Sequence, residues 1–146
     1  MQYSKTGLAL TEGFESCSQT AYHGSADRPG VWSIGWGHVG PEVVEGLVWT
    51  QNQCDSQLVM DLQSAENMVN HYVIVDLTQG QYDALVDFAF NLGVNAEKGS
   101  TLLKLVNAGD MDAAAEQFQL WDHASGQVVA GLLRRRLAEK EEFTNE

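Results

Sequence analysis

The stretch that decides the fold runs from Tyr22 to Gly40, and its centre is Gly30-Val31-Trp32-Ser33-Ile34-Gly35-Trp36-Gly37-His38-Val39-Gly40. Val31 to Ile34 is a β-prone run, with glycines on both sides and Pro29 and Pro41 nearby, so it reads as a hairpin or small sheet. Working outward, the pattern turns helical in both directions. Ser4 is a good helix cap, and Leu8, Thr11 and Phe14 recur at helical spacing, which predicts a first helix over 5–17. After Thr50, a stripe of Cys54, Leu58, Leu62, Ala65, Val69 and Tyr72 predicts a long amphipathic helix over 51–72. Thr78 with Gln81 makes a capping box before a helix whose inward stripe is Tyr82, Leu85, Val86 and Ala89, ending at Gly93. A short helix follows from Thr101 to Ala108. Asp110 caps another, with Met111, Ala114, Ala115 and Phe118 inward. Gly126 and Gly131 bracket a loop before a last helix, Leu132 to about Phe143. Strands confined to one place in a helical chain give an α+β fold class.

Length and charge narrow the function. The 146 residues suit one domain, 1–146, and 44% hydrophobic with 19% charged residues is too apolar for disorder. Eight Lys and Arg against 20 Asp and Glu leave a net charge of −12, which excludes non-specific nucleic-acid binding, because that requires cations to displace counterions from phosphate. No apolar run approaches the roughly 20 residues of a membrane span. Glu12 and Glu15 interrupt the place where a signal peptide needs an apolar stretch. There is no CxxC, and His23, His38, His71 and His123 have no metal-ligand spacing, so no metal or cofactor is expected. Cys17 and Cys54 are too few for a disulfide scaffold; they read as two reduced buried thiols, with a bridge across 36 intervening residues the alternative.

Three patterns carry chemistry. Gly35-Trp36-Gly37-His38-Val39-Gly40 is a literal GxGxxG, but no helix begins at its third glycine and no second parallel strand follows, so it reads as turns and not as a dinucleotide site. Glu12, Glu15, Asp27 and Ser33 surround the β element. Two carboxyl groups in different environments are what glycoside hydrolysis requires, one protonated to donate and one ionised. The same acids would also arise as plain surface charge in a chain this acidic. Arg134-Arg135-Arg136 lie on a helix where only one or two can turn inward, and there they could fix the protonation of a buried acid.

These residues resemble the phage-type lysozymes, glycoside hydrolase family 24, from about Ser4 to Phe143. The resemblance is carried by Phe14-Glu15, Ala21-Tyr22, Gly30 to His38, Leu77-Thr78-Gln79, Tyr82-Asp83-Ala84-Leu85, Phe88-Ala89-Phe90-Asn91-Leu92-Gly93, Ser100-Thr101-Leu102-Leu103, Asn107-Ala108-Gly109-Asp110 and Gly131-Leu132 with the three arginines and Glu139. The family's pattern is a Glu, eight residues, an Asp, five residues and a Thr. Tyr22 lies seven residues after Glu15, as it should after the catalytic Glu, and Ser4 and Gly7 keep the same register; Glu12, followed by Gly13, is the competing assignment. Asp27 keeps the spacing to the strand through a three-residue expansion in His23-Gly24-Ser25-Ala26, and Ser33 stands where Thr is usual.

The resemblance implies a lysozyme-like architecture, with a small β-containing lobe, a larger helical lobe and a cleft between them. It implies an endolysin that hydrolyses the β-1,4 bond between N-acetylmuramic acid and N-acetylglucosamine in bacterial peptidoglycan, with inversion at the anomeric carbon. Glu15 is then the general acid, with Asp27 and Ser33 handling water or the oxocarbenium-like charge. Arg136, with Arg135 as second choice, is the arginine that pairs with the catalytic Glu. Phe90, Asn91, Ser100 and Thr101 resemble cleft-lining positions, and His38 resembles a structural ion-pair partner of Asp61. The expected partner is the wall alone, without nucleic acid or membrane insertion. The expected protein is a monomer held in the host bacterial cytoplasm until the membrane is permeabilised. A catalytically silent wall-binding protein on the same fold is the alternative, motivated by the loop expansion and Ser33.

Overall fold

The computed structural model describes residues 1–23, 30–124 and 126–145. The chain divides into two compact units, Glu12–Gln63 and a discontinuous one of Met1–Thr11 with Ser64–Glu146. It passes from one unit to the other inside two helices, α1 (Lys5–Phe14) and α2 (Gln51–Tyr72).

The unit Glu12–Gln63 is built on a three-stranded antiparallel sheet in the order β1 (Ser18–His23), β2 (Trp32–Gly35), β3 (His38–Val39). Tyr22 pairs with Ser33 and His23 with Trp32, while Ser33 and Ile34 pair with Val39 and His38. Gly35 and Gly37 close the β2–β3 turn with φ of +64° and +84°, conformations that favour glycine. The outer edge of β1 is covered by the segment 47–49: Ala21 N–H donates to Leu47 O at 2.9 Å and Trp49 N–H to Gln19 O at 2.8 Å. Ala21, Ile34 and Val43 form a small core, with Trp32, Leu47 and Trp49 packed against it.

The other unit centres on α3 (Gln79–Leu92), whose residues Tyr82 to Ala89 are all buried. The expected capping box is present, with Thr78 accepting from Gln81 N–H and the Gln81 side chain bonding back to the cap. Around α3 lie α4 (Val94–Lys98), α5 (Thr101–Asn107), α6 (Met111–Gln117), a 3-10 turn at Phe118–Leu120 and α7 (Ala130–Thr144). Gly80 lets α7 approach closely, since any side chain there would run into the Glu142 carbonyl. Phe88 meets Phe118 and Trp121 edge-on at 5.5 and 5.6 Å, and Phe118 meets Phe143 at 5.3 Å, so these aromatics are core packing.

Several boundaries differ from expectation. The first helix stops at Phe14, not residue 17, because the chain turns there to enter β1. Gly131 lies inside α7, which starts at Ala130; part of the expected loop is a two-residue-per-strand hairpin, β4 (His123–Ala124) with β5 (Gln127–Val128). The α2 stripe is as expected, with Cys54, Leu58, Leu62, Ala65 and Val69 buried.

Candidate active site

Glu15 is the first residue past α1, half-buried, and its carboxylate lies against the Gly37 backbone: a Cβ added to Gly37 would sit 3.1 Å from Glu15 Oε2. The same charge reaches Tyr22, whose phenol is raised above its ordinary value by burial first, then by Glu15 and by Cys17. Tyr22 is in turn the cross-strand partner of Ser33, which is buried at the centre of β2. The β2–β3 turn and the β1–β2 pair thus bring Glu15, Tyr22 and Gly37 together, with Ser33 one strand away. Glu12 lies one turn earlier, inside α1. Asp27 lies outside the described residues.

His38 is held from both sides. Its Nδ1 is 2.8 Å from Asp61 Oδ2, and its Nε2 is 2.6 Å from Glu42 Oε1. Gln57 adds a 2.8 Å hydrogen bond to the same Asp61. Burial pulls the imidazole pKa down, but the two carboxylates outweigh it and the net shift is upward; Glu42 is lowered chiefly by its bond to His38. With a carboxylate on each nitrogen, both must donate, which suits an imidazolium and leaves no lone pair to accept a substrate proton. Sequence reasoning missed Glu42, although its i,i+4 distance from His38 was visible.

In the helical unit, Arg136 is fully buried. Its Nη2 donates to Asn91 Oδ1 at 3.0 Å and to Glu139 Oε1 at 2.5 Å, and its guanidinium stacks 5.2 Å from the Phe88 ring. Nε and Nη1 are buried with no hydrogen-bond partner among the described residues. Arg135 grips Asp87 with a fork, 2.9 and 2.8 Å, and Thr11 Oγ1 donates to the same carboxylate at 2.6 Å. Burial alone would raise Asp87, but Arg135 and its neighbours hold it below its ordinary value. Glu139 goes the other way, raised by burial and by the adjacent Asp87. Arg134 is exposed, so two of the three arginines turn inward.

The remaining candidates differ in what they can offer. Phe90 and Asn91 are half-buried and Thr101 is exposed. Ser100 is turned inward as the N-cap of α5: its hydroxyl accepts from Leu103 N–H at 3.1 Å and donates to Glu97 O at 2.7 Å. Glu97, which the sequence reading did not single out, is fully buried, neither carboxyl oxygen is bonded among the described residues, and burial raises its pKa well above its ordinary value. Among the described residues no group of three or more His, Cys, Asp or Glu side chains could hold a metal ion, and no helix is long and apolar enough to cross a membrane.

An acid at the end of the first helix, facing a small antiparallel sheet and followed by a helical unit, defines a lysozyme-like α+β protein. The chain belongs to the phage lysozyme family, whose model matches residues 12–139. The muramidase domain of SpmX from Asticaccaulis excentricus is 38% identical and matches with a TM-score of 0.89 over 99% of each chain. The endolysin from Escherichia coli O157:H7 phage FAHEc1 is 32% identical with a TM-score of 0.90, over 99% of this chain and 94% of that one. The endolysin of Bacillus phage B103 is 37% identical over 98% of this chain and 54% of its own length. The chain thus spans about half the length of that relative.

Proposed function

We propose that this chain is an endolysin-type muramidase, a single catalytic domain over 1–146 that cleaves the β-1,4 bond between N-acetylmuramic acid and N-acetylglucosamine in bacterial peptidoglycan. The observation that carries this reading is the family match across residues 12–139, with Glu15 at the end of α1 against the β2–β3 turn. Glu15 is the general acid that protonates the glycosidic oxygen. Asp27, with the Ser33 hydroxyl, directs water onto the anomeric carbon from the opposite face. Inversion requires the two carboxyls to stand about 6.5–9.5 Å apart.

By the family resemblance Arg136 takes the role of the arginine that pairs with the catalytic Glu, and its own unit holds it through Asn91 and Glu139. Phe90, Asn91 and Thr101 contact the glycan, while Ser100 contributes by fixing the start of α5. The His38–Asp61 pair holds the sheet to α2 and takes no proton from substrate. No metal or cofactor enters the reaction. The protein acts as a monomer and waits in the producing cell's cytoplasm until the membrane is opened.

The test is the fall in turbidity of purified peptidoglycan under wild type, Glu15→Gln and Glu12→Gln. Wild type clears the suspension, Glu12→Gln clears it too, and Glu15→Gln is slower by about 10²–10⁴-fold, the usual contribution of a positioned acid. A dead Glu12→Gln beside an active Glu15→Gln would move the acid to the earlier residue. A wild type that binds the wall and clears nothing would favour a silent binding protein.

A further inference from the structure

Cys17 and Cys54 take no part in the mechanism above, yet the fold brings their thiols together. Cys17 stands two residues after Glu15 and just before β1; Cys54 is buried in the first turn of α2. Cys54 Sγ lies 4.0 Å from the carbonyl oxygen of Ser18, the neighbour of Cys17. From the other side, Cys17 Sγ is 3.6 Å from Nε2 of Gln51, one turn before Cys54 on the same helix face. The Cys17 thiol is near enough to help raise the pKa of Cys54. Gly35, paired with Ser18 across the sheet, packs against Cys54 at ordinary contact distance.

We propose that Cys17 and Cys54 are a dithiol that closes into an intramolecular disulfide when the protein meets a disulfide oxidant, stapling the segment after Glu15 to the start of α2. The half-buried Cys17 thiolate attacks one sulfur of a low-molecular-weight disulfide, forming a mixed disulfide and releasing one thiolate of the donor. The Cys54 thiolate then attacks the Cys17 sulfur and releases the second. Two protein thiols lose two electrons and two protons, and the donor leaves as two thiols. Burial and the neighbouring Cys17 push Cys54 up to about 11, so ring closure is the slow step and quickens about tenfold per pH unit below that value. The closed loop encloses all three strands of the sheet, so the bond restricts the unfolded chain, while in the folded one each cysteine already lies against a neighbour of the other. It is a staple for a chain leaving a reducing compartment; the wall-acting reading supplies only that occasion, and the thiol chemistry stands without it.

The experiment treats the reduced full-length chain with oxidised glutathione at pH 7 and pH 8.5, beside Cys17→Ser and Cys54→Ser. Mass spectrometry should show the Cys17 mixed disulfide first and then a species two hydrogens lighter than the reduced chain, with Cys17 and Cys54 in one cross-linked peptide. That species should melt about 10 °C higher than the reduced chain. Cys54→Ser should stop at the mixed disulfide, and neither variant should gain heat resistance. Disulfide-linked dimers, a wild type that stops at the mixed disulfide at pH 8.5, or a closed form that melts no higher would overturn the proposal. Wall clearing is followed on the same samples. Closure without clearing sinks the muramidase reading alone, and clearing without closure sinks this one alone.

Discussion

Residue 37 must be glycine for two separate reasons. Its φ of +84° is strained for any L side chain, and a Cβ there would press on the Glu15 carboxylate at 3.1 Å. On the proposed role of Glu15 as the acid, Gly37→Ala should slow wall clearing by about 10–100-fold, the usual penalty for displacing a reacting group, while thermal melting drops only modestly. Equal losses in rate and folded fraction would mean that the turn matters for stability alone. His38 gives a second test, in which pH decides the sign. Its folded-state pKa is raised, so its stabilisation is complete below the ordinary histidine value of about 6.5 and disappears as pH climbs through the raised value. His38→Asn should lower the melting temperature by about 3 °C at pH 5.5, as expected for a pair of roughly 1 kcal/mol, and by less at pH 9. A deficit that grows with pH would contradict the paired imidazolium. The resemblance assigned roles to Glu15, Ser33 and His38, whereas the residues alone offered only carboxylates and a serine scattered around a strand. Glu42 and Gly37 stayed hidden because what each touches depends on how the β2–β3 turn and the loop after it fold back.

Helices were legible where their period was long and their caps conventional. The α2 stripe, the Thr78–Gln81 capping box and the Asp110 cap appear as read, because each is a local property of the sequence. Strand β1 was hidden: only Ala21 in Ser18–His23 is buried, and the strand exists through its partners β2 and 47–49. At two residues per strand, the β4–β5 hairpin is too short to show a pattern. The acids Asp83 and Asp87 within the buried run of α3 were a signal that the sequence did display, since charges on an apolar face need partners. Asp87 is the joint between α3 and α7, held by the Arg135 fork and by Thr11 of α1. Asp87→Ala should cost about 3–5 kcal/mol, because it removes the forked partner of a buried guanidinium; chemical denaturation would measure it, and a loss under 1 kcal/mol would show that Glu139, 3.7 Å from Arg135 Nε, takes over the charge. Helix α4 predicts the opposite sign. Glu97 keeps its proton when folded and gives it up when unfolded, so its contribution falls as pH rises above the ordinary carboxylate range. Glu97→Leu should stabilise the protein by about 1–3 kcal/mol at pH 8 and by less at pH 4.5, as read by melts at both values.

For the molecule as a whole, the net charge of −12 sets how it meets its proposed substrate. Bacterial walls are themselves anionic, so at low ionic strength like charges slow the encounter, and added salt screens them within a Debye length of about 10 Å at 0.1 M. Clearing rates should rise from the lowest salt to a maximum at moderate salt and then fall. A steady decline from the start would mean that local attraction at the site outweighs the overall field. The charge was legible from composition alone. The division into two units was implied by the resemblance and not by composition, because it depends on α1 returning to pack with residues far along the chain.

That return also sets a clock on synthesis. Thr11 hydrogen-bonds to Asp87, and Asp87 is gripped by Arg135, so the anchor of α1 is complete only after 124 further residues have been made. At about 5–20 residues per second, a ribosome takes roughly 6–25 s to cover that distance. Through that interval the nascent chain has Glu15 but not the partners that fix the helix leading to it. The anchor of α1 therefore waits for α7, the last helix to be made.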